Sequence, residues 1–289
     1  MLFKLSLKVA PKDLELFTGY LSLLAPQGWQ EDLDQVHIFS PNKEELTAIL
    51  DKLNLLAPHV IQDTCLTAQA AEDWFHTWQK NFQPVICGQH FVILPPWLAH
   101  KAPTYAPRHV IFIEPKDAFG TGQHETTALC LSIIGDLFAQ NIISTKTTFL
   151  DLGTGTGILG LACCHLGMHG IGLDTDPTAI VNAQNNALFN HYSSQFKLQV
   201  GSLDLVQSKR FPLIMANILA EPLIQLSDSL VHALDTGGTL LLSGLLNSQA
   251  AAVAEAYTAC GLPEPTQQSM GEWTALYWHA PQPANAQMP

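Results

Sequence analysis

Apolar and polar residues alternate at the N-terminus: Phe3, Leu5, Leu7 and Val9 share one face of a strand, with Lys4, Ser6 and Lys8 on the other. Pro11 and Asp13 then open a helix through Leu24, with Leu14, Phe17 and Leu21 along its buried stripe. Val36 to Phe39 reads as a second strand, and Pro41 starts a second helix whose Leu46, Ile49, Leu50 and Leu53 form an apolar face. Another short apolar run lies near Val60. The succession predicts a small α+β domain over residues 1–68, a ferredoxin-like sandwich. It carries no catalytic constellation, so its expected job is recognition.

The pattern changes after that. Trp74, Phe75, Trp78 and Phe82 crowd a short helix, followed by the apolar run Phe91 to Leu94 and by Pro95, Pro96, Pro103 and Pro107. Residues 69–107 are therefore expected to be a connector whose aromatic helix glues domains together. From residue 108 to 280, strands alternate with helices, which implies a mostly parallel sheet covered on both faces. The strands fall at about 147–151, 170–174, 196–201, 211–216 and 238–243, and Glu272 to Trp278 is expected to close the sheet as an edge strand. The tail 281–289, rich in Pro, Ala and Gln, is expected to be disordered.

Composition narrows the partners. With 289 residues, 47% of them apolar and 13% charged, the chain can bury a sizeable core. Its net charge of 13 − 25 = −12 argues against a nucleic acid held through phosphates and suits a basic protein partner. Cysteines at 65, 87, 130, 163, 164 and 260 include no C-x-x-C pair, so neither a metal nor a disulfide framework is expected. Lys4 and Lys8 interrupt the apolar N-terminus, and no apolar run is long enough to span a bilayer. These features point to a cytoplasmic protein without metal or membrane.

Chemistry concentrates in three places. The first is Asp151-Leu-Gly153-Thr-Gly155-Thr-Gly157, between an apolar strand and a helix marked by Ile158, Leu159, Leu161, Ala162 and Leu166. Such a strand, glycine turn and helix form half of a nucleotide-binding βαβ unit, with bare backbone open to a ligand at the helix start. The next strand ends at Asp174, where such units place the carboxylate that holds ribose hydroxyls. Asp176 precedes Pro177 and reads as a helix N-cap instead. The second place is Ala118 to Thr127, two glycines, three threonines and His124 ahead of an apolar helix, which taken alone reads as a cap. The third is Met215-Ala-Asn217-Ile-Leu219-Ala-Glu221-Pro222 after an apolar strand, where Asn217 taken alone reads as a turn former.

The alternating G-x-G-x-G behind an acidic residue resembles the S-adenosylmethionine-dependent methyltransferases rather than the dinucleotide-binding G-x-G-x-x-G. That resemblance implies a Rossmann-like class I methyltransferase domain, in which the glycine loop packs against the methionine end of the cofactor and Asp151 helps to receive its ammonium. It also places Asn217 beside the transferred methyl, with its carboxamide oxygen accepting from an attacking amine. Related amine methyltransferases carry Asn- or Asp-Pro-Pro-aromatic here. This chain has Ile218, Leu219 and Ala220, and so lacks the aromatic platform a nucleobase would want.

Together F-G-T-G-x-H-x-T-T, D-L-G-T-G-T-G, A-N-I-L-A-x-P and the late Glu272-Trp273 resemble the PrmA family, which methylates large-subunit ribosomal protein eleven. The resemblance implies lysine side-chain and N-terminal α-amines of that protein as substrates, gripped by the N-terminal domain. It implies cofactor contacts at Thr127, Gly153, Asp174 and Asn217, to which Gly155, Asp151 and Ser202 are added, with Asn217 as the catalytic residue. His124 is the candidate for a general base. Lys116-Asp117 departs from the family's usual Gly-Met, which touches the substrate side more than the cofactor. Two rival readings stay open: a methyltransferase of this fold acting on another amine, and a non-catalytic cofactor- or dinucleotide-binding module.

Overall fold

The N-terminal alternation is realised in β1 (Leu2–Val9), whose Leu5, Leu7 and Val9 are buried while Lys8 is exposed. The structure is a computed structural model, and it describes residues 2–10, 17, 20, 21, 24, 29–32, 35–40, 42–57, 60–69, 84–114 and 124–279. The chain divides into two compact units, 1–83 and 84–289. In the first, β1 lies between β3 (Gln35–Ser40) and β4 (Ile61–Gln69), and β2 (Gln30–Asp32) pairs outside β3; every pairing is antiparallel. α1 (Lys43–Leu56) starts at Asn42, whose side chain accepts from the Glu44 N–H, and buries Leu46, Ile49 and Leu53. Helical Phe17 and Leu21 complete the same core. With helical residues between β1 and β2 and α1 between β3 and β4, this order is the ferredoxin-like one. The aromatic helix expected around Trp74 to Phe82, the start of the first helix and the tail 281–289 lie outside the described residues.

The second unit begins at Pro84, so part of the expected connector belongs to it. β5 (Val85–Cys87), β6 (Phe91–Leu94) and β7 (His109–Phe112) form a three-stranded sheet, with the 3-10 segment Pro96–Tyr105 linking β6 to β7. Cys87, Phe91, Ile93 and Ile111 pack into one core with α2 (Glu125–Ala139) and α3 (Ile158–His165), which is why this stretch is no free linker. The main sheet has the order β10-β9-β8-β11-β12-β14-β13. Its parallel strands are β8 (Thr148–Leu152), β9 (His169–Asp174), β10 (Phe196–Val200), β11 (Phe211–Asn217) and β12 (Leu234–Leu246). β11 shows why such strands read as continuous apolar runs: Leu213 and Met215 face one core, Ile214 and Ala216 the other.

The expected edge strand is corrected. β14 (Trp273–His279) is interior, antiparallel to β12, and β13 (Thr266–Met270) pairs outside it as the true edge. β13 reads Thr-Gln-Gln-Ser-Met with every residue exposed, so it has no apolar alternation to betray it; pairing with β14 alone makes it a strand.

Candidate functional site

Winding runs outward from β8 to β9 and β10 on one side, and β11 and β12 lie on the other, so the sheet reverses between β8 and β11. Ligands of open α/β sheets settle at the strands' carboxyl ends at such a point. A crevice of about 420 Å³ lies there, lined by Thr127, Asp151, Gly153, Gly155, Asp174, Ser202 and Asn217 together with Ile218, Leu219 and Pro222. All seven residues singled out in the sequence thus meet in one cavity, although they come from five segments of the chain.

The glycine loop is held by backbone geometry. Gly153, Gly155 and Gly157 have φ of 70°, 55° and 82°, a region that side-chain-bearing residues rarely adopt. At Gly153 a Cβ would also lie 2.3 Å from Ile218 Cγ2, across the β8–β11 gap. Glycine lets the loops after the two strands approach and keeps the crevice floor bare.

Asp151 is 1% exposed on β8. The Thr154 hydroxyl donates to its Oδ2 at 2.6 Å and the Gly160 N–H at 3.1 Å. Hydrogen bonds to a charged group are each worth about 1.5–3 kcal/mol, whereas burying a carboxylate costs several kcal/mol. Burial wins, and with the nearby Asp174 charge it pushes Asp151 up to about 6 despite those two bonds. Its charge is therefore conditional, and a cation in the crevice would favour it. Asp174 at the end of β9 accepts the Gly155 N–H on Oδ2 (2.9 Å) and the Asp176 N–H on Oδ1 (3.0 Å). Each oxygen keeps a further lone pair for a hydroxyl donor. Asp176 does cap α4 (Pro177–Phe189), accepting the Thr178 N–H at 2.8 Å.

Asn217 ends β11, and its Nδ2 donates to Thr127 Oγ1 at 3.4 Å. Its Oδ1 is buried and has no hydrogen-bond partner among the described residues. An acceptor so placed is costly unless something fills it, which suits a donor arriving in the crevice. Thr127 is on the first turn of α2; the Ser243 hydroxyl on β12 donates to the Thr126 carbonyl at 3.4 Å, tying that turn to the sheet. His124 caps α2, its Nδ1 2.8 Å from the Thr126 hydroxyl and its ring 4.6 Å edge-to-face from Trp273. The histidine of the second motif and the late Glu-Trp thereby meet. The loop residues Phe119 to Gln123 and the departure at Lys116-Asp117 lie outside the described residues.

The sequence reading passed over Thr154 and Gly244. Thr154 was visible as a hydroxyl three residues after Asp151. Gly244 had no such signal: a Cβ there would lie 2.3 Å from the Ile218 carbonyl, so its glycine sets the path of the Asn217-Ile218 turn. Among the described residues no group of three or more His, Cys, Asp or Glu side chains is placed to hold a metal ion, and no helix is long and apolar enough to cross a membrane.

Residues 20–280 match the family described as Ribosomal protein L11 methyltransferase (PrmA). The chain is 34% identical over 237 residues to a ribosomal protein L11 methyltransferase of Pelobacter propionicus, covering 81% of this chain and 76% of that one. It is 37% identical over 235 residues to the corresponding protein of Hydrogenovibrio crunogenus, covering 80% and 76%. A crystal structure of ribosomal protein L11 methylase from Lactobacillus delbrueckii subsp. bulgaricus superposes with a TM-score of 0.61 at 28% identity, over 68% of this chain and 97% of that one. With the glycine loop, two carboxylates and the strand-end asparagine in one crevice, these likenesses establish that the chain belongs to the PrmA family of ribosomal protein L11 methyltransferases.

Proposed function

We propose that this protein transfers methyl groups from S-adenosylmethionine to amines of large-subunit ribosomal protein L11, both lysine side chains and the N-terminal α-amine. The observation that carries the reading is the buried Asn217 Oδ1, without a partner among the described residues, on the wall of the glycine-loop crevice, in a chain of this family. S-adenosylmethionine, when bound, supplies a methyl already activated by its sulfonium. The residues present fit it: Asp151 would face the ammonium, the backbone around Gly153 and Gly155 the methionine end, Asp174 the ribose hydroxyls, and Ser202 and Thr127 the remaining rim.

What remains for the protein is alignment and the removal of a proton. Proximity and orientation alone can supply several orders of magnitude in rate. The Asn217 oxygen accepts an N–H of the incoming amine and turns the nitrogen lone pair toward the crevice. A lysine amine has a pKa of about 10.4 and must be neutral to react; desolvation lowers that value. Leu219, 70% exposed at the rim, offers apolar surface to the methylene stem of such a lysine. His124 is poorly suited as a general base, because its Nδ1 faces the Thr126 hydroxyl and its ring packs on Trp273. Residues 1–83 would grip the ribosomal protein.

A labelled-methyl assay with purified L11, followed by mapping of the modified amines, tests the reading. Label on lysine and α-amino nitrogens supports it. No label on L11, with S-adenosylmethionine bound, would assign the fold to another amine.

A further inference from the structure

A second buried carboxamide acts on the glycine loop from behind. Asn186 on α4 is 2% exposed. Its Nδ2 donates to the Thr156 carbonyl at 2.9 Å, and its Oδ1 accepts the Glu114 N–H at 3.0 Å. The other end of the Thr156–Gly157 peptide is held as well, since the Gly157 N–H donates to the Thr154 carbonyl at 2.8 Å. Because a peptide is planar, fixing its oxygen and its N–H fixes the plane. That plane follows Gly155, which donates to Asp174, and leads into Gly157, the left-handed residue that starts α3. Nothing on the sequence level marks Asn186: it sits in a helix and outside every motif.

We infer that Asn186 is a positioning residue for cofactor binding, holding the Thr156–Gly157 peptide so that the glycine loop keeps its shape with the crevice empty or filled. The inference rests on this loop being the cofactor's. Asn190, one turn further on, supplies an internal control. It exchanges hydrogen bonds with both backbone groups of Phe112, at 2.9 and 2.6 Å, and also donates to the Asn186 carbonyl. It thus holds the same end of β7 by side-chain bonds that do not reach the glycine loop.

The test compares Asn186→Leu, Asn186→Asp and Asn190→Ala in the full chain, by steady-state kinetics and by calorimetric titration of S-adenosylhomocysteine. Asn186→Leu is expected to raise KM for S-adenosylmethionine and Kd for S-adenosylhomocysteine about ten-fold, with saturating kcat within about two-fold of wild type. Asn190→Ala is expected to lower Tm and leave both constants unchanged. Asn186→Asp keeps the acceptor but can donate to the Thr156 carbonyl only when protonated. Its Kd relative to wild type is expected to be raised at about pH 8 and to recover as pH falls. A lower kcat with unchanged KM and Kd in Asn186→Leu, the signature of lost active protein, overturns the inference. So does an Asn186→Asp ratio independent of pH, which decides the matter if Asn186→Leu does not fold. The calorimetric arm needs no protein substrate, so it succeeds or fails independently of the L11 assignment.

Discussion

Asp151 and Asn217 divide the work of the crevice, and each makes a separate prediction. Asp151 is raised from about 3.8 unfolded to about 6 folded. The folded chain therefore binds the extra proton in that window, and the stability so gained is present below the unfolded value and lost as pH rises through about 6. A ligand ammonium favours the ionised carboxylate, so S-adenosylhomocysteine should bind more tightly as pH rises through about 6 and level off above it. Calorimetry from about pH 5 to pH 8 measures this, and Asp151→Asn should bind more weakly with a flattened profile. For Asn217→Ala, turnover should fall about ten- to a hundred-fold while cofactor affinity changes by less than about three-fold, because the oxygen aligns the acceptor. Equal turnover would remove the alignment role.

At the scale of elements, the small sheet β5-β6-β7 is held to α2 and α3 partly through histidines. His109 on β7 and His165 at the end of α3 meet edge to face with centroids 5.0 Å apart. The Tyr192 hydroxyl lies 3.1 Å from His165 Nδ1, and His90 Nε2 lies 3.0 Å from Asp136 Oδ1 on α2. Burial, then the charge of His90, holds His109 below its ordinary value; burial, then His109, does the same for His165. The unfolded chain therefore takes up more protons below about pH 6.5, and the stability this pair contributes, present above that value, is lost as pH falls through the lowered folded values. His165→Phe should flatten the drop in Tm between about pH 7.5 and pH 5; a drop as steep as wild type would show that this pair does not carry it.

For the whole molecule, the two units have separate cores. A chain of residues 84–289 contains every described residue that lines the crevice and both faces of the main sheet. It should melt cooperatively and bind S-adenosylhomocysteine within about three-fold of the full chain, but methylate L11 at least about ten-fold less efficiently. Retained methylation would place substrate recognition in the second unit. The net charge of −12 belongs to this scale too, since long-range attraction of a basic substrate is a property of the summed field.

Periodicity by itself determined most of the architecture: the alternation at Phe3 to Val9, the buried runs that became β8 and β11, and the Gly-x-Gly-x-Gly turn between β8 and α3. Glycine spacing and a strand-end carboxylate, local demands of the backbone, marked Gly153, Gly155 and Asp174, whereas Thr127, Asp151, Ser202 and Asn217 entered through the family resemblance. Only the tertiary structure made a strand of polar Thr266–Met270 and folded Val85–Leu94 into the second unit. It alone matched Gly244 to Ile218 and Asn186 to Thr156. Those features depend on what lies opposite in space: a ladder partner, a close backbone approach, a carbonyl waiting for a donor. A residue's neighbours along the chain carry no record of them.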